Sequence, residues 1–272
     1  MTIYYPGNPI QPGAFPAILA IGDSWFWYPK RANLLESLTR HRKLKPEFAN
    51  IQVLGYNGAK LHEYTTGRYA KQLKEQLAPK NALYFSGVMI SGAGNDALDY
   101  RLALKADCSS KTSAADCIDE DAMRSFCGDI SRDLGGLIHD IWWAFNALNR
   151  AAPIFIHSYD YPIPDGRGFK LAGLSVKGPW LKPAMDARHV PSDPELRKEI
   201  CKLLIDRIST TFKNFENDAT GVRFVDSRGT LRRDAQYRSD WDNEMHPTAS
   251  GFDAIIEQHW IPALQAVGWA NL

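Results

Sequence analysis

The segment Ile21-Gly22-Asp23-Ser24-Trp25 directly follows the apolar run Pro16-Ala17-Ile18-Leu19-Ala20. A short apolar run of this kind predicts a buried central strand, and a glycine at its end lets the backbone turn sharply. Ser24 then stands at the mouth of a sheet, where open α/β folds place their ligand sites. A serine there can act as a nucleophile if a base takes its proton and donors hold the developing oxyanion. Two further blocks offer donors. Gly55-Tyr56-Asn57-Gly58-Ala59 follows a second apolar run, and Ser91-Gly92-Ala93-Gly94-Asn95-Asp96 follows a third. Gly58 admits close approach to its N–H, Asn95 carries an amide, and with the N–H of Ser24 they make a three-donor oxyanion hole. A fourth block, Asp240-Trp241-Asp242-Asn243-Glu244-Met245-His246-Pro247-Thr248, precedes the last helical pattern. Each block alone is commonplace: Ser24 as a turn hydroxyl or helix cap, Asn95-Asp96 as a cap, His246 as a structural hydrogen-bonder. The signal lies in their joint occurrence.

In this order and at these strand ends, the blocks resemble those of the SGNH (GDSL-type) hydrolase family. Its four signature residues fall on Ser24, Gly58, Asn95 and His246, and the resemblance runs from Gly22 to Pro247. It implies a flavodoxin-like α/β/α fold and hydrolysis of carboxylic esters or thioesters through an acyl-serine intermediate, without metal or organic cofactor. Ser24 would be the nucleophile and His246 the general base. Two positions depart from the pattern. Where the family has a glycine two residues before the block-three asparagine, this chain has Ala93, and the flanking Gly92 and Gly94 are expected to keep the backbone freedom. Where the family places an aspartate three residues before the histidine, this chain has Asn243. Asp242, Asp240 and Glu244 stand close by, and Asp242 is the favoured acid because a carboxylate stabilises an imidazolium better than an amide does. Asn243 is the alternative. Asp23 is expected to be structural.

The aromatic residues after the nucleophile, Trp25, Trp27 and Tyr28, are candidates for an acyl or sugar pocket, with core packing about equally expected. His157, at the end of another apolar run, is the remaining candidate for substrate contact, although packing is the stronger expectation. His139 and His259 read as structural residues on helices.

The elements that must position these groups alternate along the chain. Apolar runs at Ala17–Ile21, Ile51–Leu54, Leu83–Ser91, Ile154–Ser158 and Val222–Asp226 predict five strands buried on both faces. Between them, Asn33–Arg40 predicts a short helix, and apolar residues from Ile130 to Leu148 predict a long amphipathic one. Ile200 to Phe215 predict another, opened by Asp193-Pro194-Glu195. A last helix carries Phe252, Ile255, Ile256 and Trp260. The expected architecture is a single three-layer α/β/α domain over 1–272, with a mainly parallel five-stranded sheet. Insertions near 99–128 and 159–194 should border the site.

Bulk properties remove some functions. The chain has 272 residues, 44% apolar and 23% charged, with a net charge of +1 and a pI near 7.7. The densest basic run, Arg40 to Lys45, reads as a solvated helix end, so no nucleic-acid partner is expected. No apolar run reaches the ~18 residues of a membrane span. Residues 1–13 lack the basic and apolar regions of a Sec signal peptide, which makes the cytoplasm the first expectation. Export without such a signal, or a mature secreted domain, is the alternative. Cys108, Cys117 and Cys127 lack zinc-site spacing; two of them would pair if the protein works in an oxidising compartment. The expected partner is a small-molecule, glycan or lipid ester. A non-catalytic binding protein and an acyltransferase are the competing readings.

Overall fold

The computed structural model describes residues 2–8, 10, 13–28, 32–171 and 174–272. Among these residues eight strands appear in chain order: β1 Thr2–Tyr4, β2 Ile18–Ile21, β3 Asn50–Leu54, β4 Gly87–Ile90, β5 Ile154–His157, β6 Phe169–Leu171, β7 Leu174–Lys177 and β8 Val222–Val225. Six of them form one parallel sheet in the order β1-β3-β2-β4-β5-β8. Every residue of β2, β4 and β5 is buried, as expected for strands covered on both faces. The helices form two groups that pack among themselves. Leu34–Arg40 lies with the C-terminal helical segments, and Glu120–Asn146 lies with Ala70–Leu77 and Pro194–Lys213. The strand order reverses at β2, which lies between β3 and β4, so a crevice opens at their carboxyl ends.

Local chemistry explains the long elements. Glu120–Asn146 starts where the Asp119 carboxylate accepts the N–H groups of Asp121 and Ala122, followed by an acidic first turn. It buries Met123, Phe126, Ile130, Leu134, Leu137, Ile141 and Phe145 along one stripe. Pro194–Lys213 opens as its sequence predicts, with the Asp193 side chain accepting from Glu195 N–H.

The structure corrects three expectations of detail. The sheet has a sixth strand, β1, which pairs with the edge of β3 through Thr2 and Asn50. The third sequence run yields a shorter strand than expected, starting at Gly87, because Leu83 follows a helical turn over Pro79–Ala82 and is 45% exposed. The long helix begins at Glu120, so the irregular part of the first insertion ends before it and Cys127 sits on the helix. All four cysteines are free thiols, with Cys108, Cys117 and Cys201 buried. Among the described residues no helix is long and apolar enough to cross a membrane.

Candidate active site

The last residue of β2, Ile21, pairs with Leu54 of β3 on one side and Ile90 of β4 on the other. The turn that follows is held by backbone bonds. Gly22 N–H donates to Leu54 O at 2.9 Å, and Phe26 and Trp27 N–H donate to Asp23 O at 3.1 and 3.0 Å. A Cβ on Gly22 would stand 2.6 Å from the Phe26 ring and 2.8 Å from Ser91 Cβ, so no larger residue fits. The Asp23 side chain ties three strand ends together. One oxygen accepts from Trp25 N–H and the Ser91 hydroxyl, at 3.0 and 2.9 Å. The other accepts from the Tyr159 hydroxyl at 2.6 Å and lies 3.4 Å from Asn95 Nδ2. Burial raises the Asp23 pKa even so.

Asn95 Nδ2 donates to Ala59 O at 3.1 Å, which lays the amide against the Gly58 turn. Gly58 has φ +87°, a left-handed conformation that suits glycine. The N–H groups of Ser24 and Gly58 meet no acceptor among the described residues. At the departure in the third block, the left-handed residue is Ala93 itself, at φ 79° and fully buried. Gly92 and Gly94 do not supply the freedom expected of them; the alanine carries a strain of about 1–2 kcal/mol.

His246 completes the group. Its Nε2 lies 2.7 Å from Ser24 Oγ, and its Nδ1 lies 3.0 Å from Asn243 Oδ1. Asn243 Oδ1 also accepts the N–H groups of Met245 and His246, while its Nδ2 donates to the Tyr28 hydroxyl at 2.7 Å. The loop is closed by a Trp241–Pro247 bridge and by Asp242 N–H on His246 O at 2.9 Å. Thr248 caps the next helix through Gly251 N–H. The Trp25 indole N–H donates to Met245 O, joining the Ser24 turn to the histidine loop.

The favoured acid, Asp242, stands one step outside this contact. Its Oδ2 accepts the Tyr28 hydroxyl at 3.0 Å and lies 3.4 Å from Asn243 Nδ2. The loop shows no one-residue shift of the kind that would bring Asp242 into the acid's place; Asn243, the alternative, occupies it. Asp240 is held by the backbone and guanidinium of Arg232, which lowers its pKa. Glu244 is fully buried and accepts four backbone N–H groups, from Gly166, Trp180, Leu181 and Lys182, at 2.7–2.9 Å. It therefore anchors the arm of residues 159–194 that carries the β6–β7 hairpin. That arm puts the Trp180 ring edge-on to His246, with centroids 5.8 Å apart.

A cavity of about 40 Å³ opens beside Ser24, Asn95 and His246. Much of its wall is apolar, with Ala97, Leu102, Leu181, Leu204, Ile205 and Ile208 among the lining residues. Both insertions contribute, through Leu102 and Leu181. Of the proposed substrate contacts, Trp25 lines this cavity. Trp27 lies outside it, tilted at 35° against Tyr56 with ring centroids 4.0 Å apart. His157 belongs to the core. It is fully buried, stacks against Trp25 at 5.4 Å, and burial pushes its pKa down to about 4. Sequence reasoning missed the anchoring role of Glu244 and the place of Tyr28 against His246. The partners are far apart in the chain, and no local spacing marks them.

No family model matches the sequence, and no curated protein resembles it at a significant level. Solved structures do. A lipase from a goat rumen metagenome superposes with a TM-score of 0.57 at 14% identity, covering 94% of this chain and 98% of that one. The chain shares the fold of this lipase. A protein described as a GDSL-like lipase from Bacteroides ovatus aligns at TM-score 0.49 and 12% identity, over 95% of this chain and 55% of that one. One described as an SGNH hydrolase from Slackia heliotrinireducens gives 0.45 and 13%, over 89% and 95%. The α/β architecture with a mainly parallel central sheet, expected from the sequence, is the one observed.

Proposed function

We propose that the chain is a serine hydrolase of the SGNH type that acts on carboxylic esters with a short acyl group. The observation that carries this reading is the 2.7 Å contact between Ser24 Oγ and His246 Nε2 at the mouth of an apolar cavity. Ser24 attacks the acyl carbon as Nε2 takes its proton. The N–H groups of Ser24 and Gly58 meet the oxyanion, and Asn95 turns toward it the amide proton that otherwise faces Asp23 across 3.4 Å. The imidazolium then protonates the leaving alkoxide as the ester C–O bond breaks, leaving an acyl-serine. Water deprotonated by His246 attacks this ester, the acid leaves, and Ser24 regains its proton.

The cavity supports a short acyl group. One water needs roughly 10–15 Å³ measured this way, so about 40 Å³ suits a two- to four-carbon chain. The rumen protein of the same fold is named a lipase, which supports ester chemistry, but the narrow pocket here favours shorter chains. The test is hydrolysis of p-nitrophenyl acetate, butyrate, octanoate and palmitate, with and without an alcohol acceptor, beside Ser24→Ala and fluorophosphonate labelling. Turnover should be highest on acetate or butyrate and lost in Ser24→Ala. No turnover and no labelling would leave a binding protein; a product consisting mainly of the transferred ester would make it an acyltransferase.

A further inference from the structure

The histidine in this site faces an amide where a carboxylate would ordinarily stabilise its positive charge, yet the amide is not the end of the chain of contacts. His246 Nδ1–H donates to Asn243 Oδ1 at 3.0 Å, Asn243 Nδ2 donates to the Tyr28 hydroxyl at 2.7 Å, and that hydroxyl donates to Asp242 Oδ2 at 3.0 Å. Every donor in the series points the same way, from the imidazole toward a carboxylate. The amide orientation is fixed independently, because Asn243 Oδ1 also accepts two backbone N–H groups and cannot exchange places with Nδ2 without facing donors. The Tyr28 hydroxyl stays protonated, since burial and then the Asp242 charge raise its pKa. The Tyr28 ring lies flat against the imidazole, with centroids 4.3 Å apart at 18°.

We infer that Tyr28 and Asp242 are positioning residues that restore, through Asn243, the electrostatic role of the missing triad acid. This inference rests on the serine-hydrolase reading above. A lone amide can orient the ring but offers only a dipole to the imidazolium. An amide whose N–H bonds a hydroxyl, itself bonded to a carboxylate, is polarised along the series, and its carbonyl becomes a stronger acceptor. When Nε2 takes the Ser24 proton, the new positive charge meets a carbonyl backed by the negative charge of Asp242 rather than a neutral end. No proton moves along the series. The tyrosine also explains why the acid can sit one residue early in the sequence: its hydroxyl makes the shorter link, at 2.7 and 3.0 Å, beside the 3.4 Å contact of Asn243 Nδ2 with Asp242 Oδ2.

The groups facing His246 among the described residues are Ser24 from the nucleophile turn, the rings of Tyr28 and Trp180, and Asn243 from its own loop, with Asp242 behind Tyr28. The test compares wild type, Tyr28→Phe, Asp242→Asn, and the exchange variant Asp242→Asn/Asn243→Asp, which puts the carboxylate directly on Nδ1. Tyr28→Phe keeps the stacked ring and removes only the hydroxyl. It should lower kcat on p-nitrophenyl acetate about tenfold with KM unchanged, the scale of one hydrogen bond serving a charged group. Asp242→Asn should do the same. In the exchange background the relay is bypassed, so adding Tyr28→Phe should change kcat by less than about twofold. An equal loss in both backgrounds, or kcat within twofold of wild type in the single variant, overturns the inference. The His246 pKa read by NMR gives a second measurement that needs no turnover: it should fall in Tyr28→Phe, and an unchanged value overturns the inference. Inactivity of wild type itself, with no fluorophosphonate labelling, would instead sink the hydrolase reading.

Discussion

The two halves of the site hold their carboxylates in opposite ways. On the Ser24 side, Asp23 lies buried between strand ends and Asp96 opens the short helix after β4, and burial outweighs the donors around them. Both pKa values are raised, that of Asp96 to about 7. On the histidine side, each carboxylate is engaged: Asp240 with Arg232, Glu244 with four backbone N–H groups, and Asp242 with the Tyr28 hydroxyl and Asn243 Nδ2. Every acid close to His246 thus already serves another contact, and an amide fills the place at Nδ1. The strand-end half uses burial to organise neutral donors, whereas the loop half uses charge to pin a segment that the sheet does not hold.

The sharpest way to break this division is to remove the two side chains that meet across it, the proposed nucleophile and base. Ser24→Ala and His246→Ala should each lower kcat by about 10³ or more, and the double variant should lose little further, because the pair acts as a unit. Multiplicative losses in esterase assays would show that the halves work separately. Asn95→Ala probes the strand-end half alone. One oxyanion donor is worth about 10²–10³ in kcat, and a loss of only a few-fold would reduce Asn95 to its contact with Ala59 O.

This difference also sets what could be read from the sequence. Ser24, Gly58 and Asn95 follow apolar runs within a few residues, so strand and site are encoded together and the crevice could be anticipated. The histidine loop takes its order from distant residues. Tyr28 meets Asp242 across 214 positions, and Glu244 meets Gly166 across 78. Residue type and nearness favoured Asp242 at the imidazole, and only the fold shows that its carboxylate meets the Tyr28 hydroxyl while Asn243 meets Nδ1. His157 packs, as its stronger expectation had it, and only its minority reading as a substrate contact falls away. Its strand does end at the site edge, but the side chain falls on the face packed against Trp25 and Trp260. β1 escaped notice because an edge strand of three residues with one buried position has no continuous apolar run.

A smaller effect should separate the two kinds of acid on the histidine side. Glu244→Gln leaves two of the four backbone N–H groups facing an amide nitrogen, and each buried orphan costs about 1–3 kcal/mol. Thermal unfolding should show a clear drop in Tm, with a raised KM as the Trp180 arm loosens. Asp240→Asn, by contrast, breaks a pair whose arginine is 46% exposed and should cost less than about 1 kcal/mol. Equal losses in the two variants would mean that Glu244 does not anchor the arm.

The smallest effect on catalysis is expected at Asp96, where the contrast becomes a pH dependence. In the unfolded chain an aspartate loses its proton near pH 4, whereas in the fold Asp96 keeps it up to about 7 because burial disfavours the charged form. Between those values the native state holds a proton that the unfolded state has released, so raising the pH strips it from the native state and stability falls. Wild type should therefore lose stability from about pH 4 to 7, at a slope of at most about 1.4 kcal/mol per pH unit from this group. Asp96→Asn removes the titration while keeping an acceptor for Leu61 N–H, which donates to the carboxylate at 3.2 Å. Its stability relative to wild type should rise between pH 5 and pH 8, read by urea unfolding, with kcat nearly unchanged. A stability difference that is the same at both pH values would place Asp96 in water-like surroundings and remove the burial half of the comparison.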